Sequence, residues 1–234
     1  MGLRVSLQRA ERRVTGKMTR VMLDRFLREH RSGARTLDIG AGAGPYAAFF
    51  PDRISLDIEA APGVGVVGDA HALPFAGRSF GQVLATEVLE HFVEPQRAID
   101  EIWRVLEPGG RLLLTTRFLF PIHDGPGDYF RYTRYGLAHL LQRFEQVEIT
   151  EEAGPVETLA ILLQRLGFQA DTLGGRPFRY IWFVSARLLR LGRFLVRREY
   201  ITSRGWRTRR EGRMMTSGYY VVASRPDDHQ DSHD

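Results

Sequence analysis

Apolar positions recur along this chain in two registers. Thr36–Ile39, Ile54–Asp57, Val64–Val67, Gln82–Thr86 and Arg111–Thr116 are short runs rich in Leu, Ile and Val, bounded by Gly, Pro or Asp, and they read as strands. Between the last two, Pro95–Leu106 sets its apolar residues three and four apart behind a leading proline, the pattern of an amphipathic helix. A helix near Tyr135–Arg143, a strand near Gln146–Thr150 and a last strand at Gly218–Ala223 continue the alternation. Strands alternating with helices predict an α/β fold built on a parallel, doubly wound sheet.

Two segments fall outside that alternation. From Leu3 to His30 the apolar positions Leu7, Val14, Met18, Val21, Met22 and Phe26 recur at helical spacing between charges, which predicts one or two N-terminal surface helices. Glu151–Thr216 is too long for a simple connection and carries apolar helical stretches at Val156–Leu166 and Phe178–Val196, so it reads as a helical insertion or cap. The predicted organisation is an N-terminal helical extension (1–34), a core (35–150), the insertion (151–216), a last core strand (217–225) and a tail (226–234). The tail has no apolar side chain to offset the entropy of ordering.

Composition narrows the chemistry. With 234 residues, 43% hydrophobic and 26% charged, the chain has the make-up of an ordinary water-soluble domain, and no apolar run reaches the roughly 20 residues needed to cross a bilayer. The absence of cysteine excludes disulfides, thiolate metal sites and cysteine nucleophiles. The Arg-rich N-terminal stretch lacks the apolar core of a secretory signal, so the expected location is the cytoplasm. The formal charge is +5, and Lys17 is the only lysine. Such an arginine excess can serve nucleic acid or anionic lipid, or reflect residue usage alone.

The turn Asp38-Ile39-Gly40-Ala41-Gly42-Ala43-Gly44 carries the strongest chemical signal. Glycines at 40, 42 and 44 let a ligand approach the backbone, and Pro45 predicts a helix whose first N–H groups would face it. A dinucleotide-binding G-x-G-x-x-G from Gly40 would require glycine where Pro45 stands, and no G-x-x-x-x-G-K-[ST] phosphate loop is present. Asp57 ends the next strand, where a carboxylate can accept bonds from both ribose hydroxyls. Asp69 follows the third strand in Gly68–Phe75, placed to accept from an exocyclic amine while Ala70 or Leu73 contacts an adenine ring. The two acids together describe adenosine.

Leu37–Tyr46, Asp57, Gly68–Phe75, Phe80–His91 and Leu106–Arg111 resemble, in order and spacing, the successive motifs of class I S-adenosylmethionine-dependent methyltransferases. Thr86–Phe92 is similar to the fourth motif of the type 11, small-molecule branch. The resemblance covers about residues 35 to 150 and the final strand. It implies a Rossmann-like, seven-stranded sheet, mostly parallel with an antiparallel last strand, and S-adenosyl-L-methionine as cofactor. By the same resemblance Asp38, Gly40, Ala41, Gly42 and Gly44 would hold the methionine portion, Asp57 with Ile58 the ribose, and Asp69, Ala70 and His71 the adenine. Thr86 and Glu87 would line the methyl-donor floor and His91 would close one edge.

Methyl transfer needs a nucleophile aligned opposite the sulfur and, for a hydroxyl, a proton acceptor. Candidates lie just past the fifth strand: His123 as base, Asp124 or Asp128 to orient it, and Asp128, Tyr129, Arg131 and Tyr132 as acceptor contacts. The competing reading is that Asp124, Asp128, Arg131 and Thr133 only satisfy a long loop, with Thr133 capping the following helix. A His-Asp-Asp group can also bind a metal, but the spacing matches no metal-site signature, and none is expected. The expected activity is O-methylation of a small metabolite, sugar or lipid-linked intermediate; the alternative is a non-catalytic cofactor-binding regulatory or assembly subunit.

On a helical wheel, 178–198 gathers Arg179, Arg187, Arg190, Arg193, Arg197 and Arg198 on one arc and Ile181, Val184, Leu188, Leu191 and Leu195 on the other. This basic amphipathic helix could rest on the inner face of an anionic membrane, or bury its apolar face against the active site or a second copy in a homodimer. Arg204, Arg207, Arg209, Arg210 and Arg213 with Trp206 raise nucleic acid as a third partner, disfavoured because no RNA-binding module accompanies them.

Overall fold

A computed structural model of the chain describes residues 14–42, 44, 46–169, 178–196 and 215–228. The described residues fall into two compact units, one drawn from Phe26–Phe118, Ile122–Thr150 and Gly218–Asp234, the other from Met1–Arg25, Leu119–Pro121 and Glu151–Ser217. Ala43, Pro45, Leu7, Arg197, Arg198, the 204–213 arginines, Trp206 and the end of the tail lie outside the described residues.

The first unit is a seven-stranded sheet. Its strands are β1 (Thr36–Ile39), β2 (Arg53–Asp57), β3 (Val66–Val67), β4 (Phe80–Thr86), β5 (Leu106–Arg117), β6 (Glu145–Glu151) and β7 (Gly218–Ser224), in the spatial order β3-β2-β1-β4-β5-β7-β6. β1 to β5 pair in parallel and β7 runs antiparallel to β5. The apolar runs are strands because they are covered on both faces. Leu37, Val83, Leu112, Leu114, Val221 and Ala223 are fully buried in one cluster, each larger side chain contributing about 1.5–3 kcal/mol of burial.

Order reverses at β1, which has β2 on one side and β4 on the other, so the crevice for a ligand opens beyond the C-terminal ends of those two strands. Helix α2 (Pro95–Val105; α1 is described below) buries Ala98, Ile99, Ile102 and Val105 on the sheet. Helix α3 (Arg134–Leu140) starts at Thr133, whose hydroxyl accepts from Gly136 N at 3.1 Å. Part of the arginine excess is structural. Arg225 donates to the carbonyls of Trp103 and Leu106 at 3.0 and 2.8 Å and stacks on the Trp103 ring.

Two local expectations change. Among the described residues no helix follows the glycine turn: Tyr46–Phe49 are turns, bonded as Ala47 N to Gly44 O and Phe49 N to Tyr46 O. Pro51 follows at once, and a residue ahead of proline is steered from the helical region, so the segment has no room for a helix. β5 also starts at Leu106 rather than Arg111, its Pro108-Gly109-Gly110 stretch drawn in through a register irregularity against β4 and a bond from Gly109 N to Arg225 O.

The second unit is helical. Helix α1 (Met18–Glu29) contributes Met18 and Met22, and α4 (Pro155–Gln169) and α5 (Arg179–Leu191) pack on one another; the last turn of α1 belongs to the sheet unit. Gln164 locks α1 to α4 through Met18 N and Gly16 O, both at 2.9 Å. α5 is turned the other way round from the amphipathic reading. Phe183 and Ala186 are its buried residues, Phe183 pressing on Gly167 and Phe168, while Ile181, Val184, Leu188 and Leu191 are exposed. Three of the arginines face protein, while Arg193 is exposed: Arg179 reaches Gly167 O, Arg187 reaches Val14 O and Gly16 O, and Arg190 reaches Glu157. Long arginine stems allow a charged head to satisfy carbonyls at the rim of a packed face. Among the described residues no helix is long and apolar enough to cross a membrane.

Candidate active site

The glycine turn hangs from the end of β2, with Gly40 N and Ala41 N both donating to Leu56 O. Gly40 has φ +68°, and a Cβ there would meet Val88 Cγ1 at 2.1 Å, so only glycine lets the β1 turn pass under the residue following β4 and Glu87. Gly42 N donates to Asp57 Oδ2 at 2.9 Å, tying the turn to the carboxylate at the tip of β2. Asp38 is fully buried. Its Oδ2 takes Arg53 Nη1 at 2.5 Å while Oδ1 has no hydrogen-bond partner among the described residues. Burial outweighs the Arg53 contact and raises its pKa to about 6.

These features fit S-adenosylmethionine. The buried Asp38 Oδ1 suits the methionine ammonium, and Asp57 retains acceptor capacity for ribose hydroxyls. Asp69 lies near by in sequence on a shaped loop: its Oδ1 accepts from His71 N and sits 2.6 Å from His71 Nδ1. Glu94 N donates to His71 Nε2, which puts the ring proton on Nδ1 facing Asp69. Those bonds hold the Asp69 carboxyl below the usual range. Ala70 and Leu73 are buried, and the backbone at 73–75 is held by Glu101 and Arg104, which bond Leu73 N, Leu73 O and Phe75 O. Ile58 is 71% exposed.

After β4 the chain turns sharply. Glu87 adopts φ +58°, its N–H donates to Thr115 O, and its carboxylate is engaged by the Thr115 hydroxyl and by Arg117. Thr86 is buried beside it, paired with Thr115. A 3-10 turn, Leu89–His91, follows, and the loop 122–133 folds onto it: Glu90 O accepts from Tyr129 N and Phe130 N, the Tyr132 hydroxyl donates to Leu89 O, and Gly127 O takes His91 Nδ1 at 2.7 Å.

The structure thereby places His91 against His123, ring centroids 5.0 Å apart. Asp128, not Asp124, stands by His123: its Oδ2 is 3.3 Å from His123 Nδ1 and accepts His123 N at 2.8 Å, whereas Asp124 is exposed with φ +52°. Arg131 grips both oxygens of Asp128 and holds that carboxyl far below the usual range. Burial, opposed by Asp128, lowers the His123 pKa and keeps its imidazole neutral near pH 7. Tyr129 is exposed, while Tyr132 is buried with its hydroxyl occupied, a strut between loop and turn.

Sequence reasoning assigned no role to Glu90, Thr115, Thr116, Arg53 or Arg117. Glu90 is fully buried, its Oε2 accepting the Thr116 hydroxyl at 2.7 Å, and burial raises its pKa. The available signal was its position among Val88, Leu89 and Phe92 in the short segment after the fourth strand.

Comparison with known proteins agrees with this geometry. Residues 37–114 match a family model described as a methyltransferase domain. The chain is 38% identical over 96 residues to a demethylmenaquinone methyltransferase of Renibacterium salmoninarum (35% of this chain, 40% of that protein). It is 39% identical over 102 residues to a malonyl-[acyl-carrier protein] O-methyltransferase of Methylococcus capsulatus (36% and 37%). An uncharacterized protein of Methanocaldococcus jannaschii is 30% identical over 140 residues (55% and 67%). The chain thus spans about two fifths of the length of the two relatives with assigned reactions. In fold it is similar to the Burkholderia thailandensis 1,6-didemethyltoxoflavin-N1-methyltransferase, with a TM-score of 0.53 at 17% identity, covering 97% of this chain and 86% of that one. Residues 37–114 form a methyltransferase domain similar to the type 11 branch of the class I S-adenosylmethionine-dependent methyltransferases.

Proposed function

We propose that the protein transfers a methyl group from S-adenosylmethionine to an acceptor hydroxyl. The observation that carries the reading is the adjacency, through Val88, of a cofactor turn and a group of carboxylate and imidazole side chains. Gly40 lies under Val88, and Glu90, His91 and His123 follow with Asp128 behind them. When bound, the cofactor supplies a methyl carbon on a sulfonium: the acceptor oxygen bonds to that carbon, the C–S bond breaks with its electron pair going to sulfur, and the hydroxyl proton is released. The chain's part is to hold the donor through Asp38 and Asp57, keep water out with its buried Thr86, and present the acceptor oxygen to polar groups beyond β4 and β5.

The names of the relatives do not choose the acceptor atom, since some are O-methyltransferases and others C-methyltransferases. A carbon acceptor would also lose a proton, but a buried cluster of carboxylate and imidazoles is matched to polar oxygen. The exposed apolar row Ile181, Val184, Leu188 and Leu191 on α5 favours, within the class of small metabolites, sugars and lipid-linked intermediates, an acceptor carried at a lipid surface. Isotope-labelled S-adenosylmethionine incubated with lipid and aqueous extracts tests the reading. Label in an alkali-stable methyl ether supports it. Tight cofactor binding with no transfer to any fraction would favour a non-catalytic subunit instead.

A further inference from the structure

Glu90 presents a problem that the fold by itself leaves unsolved. Its carboxylate is fully buried, and while Oε2 is satisfied by Thr116, Oε1 has no hydrogen-bond partner among the described residues. A buried, unpaired carboxylate oxygen costs several kcal/mol unless a cation or donor meets it. The group facing Oε1 is His123 Nε2 at 3.8 Å, beyond hydrogen-bond reach. His91 completes the group: one ligating atom from each of Glu90, His91 and His123 lies within 4.8 Å of the others.

Both histidines are positioned by the loop that carries Gly127 and Asp128, His91 through its ring and His123 through its backbone. His91 Nδ1 donates to Gly127 O at 2.7 Å, and His123 N donates to Asp128 Oδ2 at 2.8 Å, which sets the His123 ring with Nδ1 3.3 Å from that oxygen while Arg131 clamps the carboxylate. Histidines that bind a metal through one nitrogen are characteristically fixed through the other by a backbone carbonyl or a carboxylate. His91 meets that pattern, with Nε2 as its ligating atom, and His123 turns its Nε2 toward Glu90 Oε1.

We propose that Glu90 Oε1, His91 Nε2 and His123 Nε2 bind a divalent transition-metal ion whose open positions take the acceptor hydroxyl. Two imidazoles and one carboxylate suit Zn2+, Mn2+ or a neighbouring first-row ion better than Mg2+ or Ca2+, which prefer all-oxygen sites. Ligands of one ion sit roughly 3.4 Å apart in tetrahedral geometry, so the side chains close by about an ångström on binding. Three protein ligands with open positions are the arrangement of a catalytic rather than a structural ion. The ion lowers the pKa of the hydroxyl it holds, the proton passes to water, and the oxygen is then free to attack the methyl carbon. His123 is on this account a ligand, positioned by Asp128, and not the base itself. The acceptor role rests on the oxygen-methylation reading above; the ion site does not.

The test separates the two. The full chain, stripped with chelator and dialysed, is titrated with Mn2+ followed by electron paramagnetic resonance and with Zn2+ by calorimetry, without cofactor or acceptor. One equivalent should bind. His91→Ala and His123→Ala should each weaken binding by more than about tenfold, and Asp128→Asn by about tenfold, while circular dichroism in chelator matches the parent. Glu90→Gln, which keeps the Thr116 contact and the side-chain shape, should weaken it as well. Failure of both ions to bind stoichiometrically, or undiminished binding in the His91→Ala/His123→Ala double variant, overturns the site. Stoichiometric, ligand-dependent binding without hydroxyl methylation upholds the site and refutes the oxygen acceptor; methylation unchanged in metal-free protein refutes the catalytic ion.

Discussion

Asp38 gives the cofactor site a pH dependence whose sign and size follow from its surroundings. Its pKa is raised to about 6 by burial, against the pull of Arg53. A cofactor ammonium on Oδ1 requires the ionised carboxylate, so binding must release a proton wherever the free protein holds one. With a pKa near 6, the apparent Kd is about 1.1 times its limiting value at pH 7, twice it at pH 6 and roughly elevenfold higher at pH 5, a loss of about 1.4 kcal/mol from neutral to pH 5. Stability moves the opposite way. A folded pKa above the unfolded one adds stability that is fully present below about pH 4 and is lost as pH rises through 6, at most about 3 kcal/mol. Acidification from pH 7 to 5 should therefore weaken S-adenosylhomocysteine binding while removing an Asp38 penalty from the cofactor-free protein. Calorimetry at several pH values in two buffers of different ionisation enthalpy reads both the affinity and the proton released. Asp38→Asn should flatten the profile. A wild-type Kd constant between pH 5 and 7, with no proton release at pH 6, would refute the placement of the ammonium on Asp38.

Other consequences follow from packing. Gly40→Ala forces a Cβ into Val88 Cγ1 at a residue with φ +68°; it should cost more than about 2 kcal/mol in denaturant unfolding and abolish cofactor binding, with Val88→Ala restoring part of the stability but not the backbone strain. Gly167→Ala places a Cβ 2.7 Å from Phe183 Cε1 and should destabilise the α4–α5 pair by about 1–3 kcal/mol, seen as an earlier unfolding transition or faster amide exchange there, with cofactor affinity unchanged. The exposed row on α5 should float the chain with lipid vesicles, and Leu188→Glu with Leu191→Glu should abolish flotation; Arg179, Arg187 and Arg190 are engaged with protein groups, so raising salt should matter less than these two substitutions. Flotation unaffected by the double variant removes the lipid-surface argument.

The strands were legible because buried parallel strands read as unbroken apolar runs, and the glycine turn because a left-handed residue such as Gly40 leaves few alternatives. What depended on distant partners was not. An amphipathic wheel shows that 178–191 has two faces, not which one packs, and here Phe183 and Ala186, rather than the leucine row, fill the contact with α4. The helix expected after Gly44 was lost to Pro51, whose effect reaches back along a segment too short to form one. Glu90 looked like a polar interruption between Leu89 and His91; its burial, and its approach to His123, arise only once the loop after β5 returns over the 3-10 turn. Asp124 and Asp128 were equivalent by spacing, and the backbone bond from His123 N to Asp128 separates them.

The central claim is that the turn from Asp38 to Gly44, closed by Asp57, binds S-adenosylmethionine. Calorimetric titration of the chain with S-adenosylhomocysteine tests it most directly. The account predicts one site per chain, weakened about 10- to 100-fold in Asp57→Ala as the carboxylate's bonds to ribose are lost. Absence of saturable binding by the folded parent protein, or an Asp57→Ala variant that binds as tightly as the parent, would contradict it.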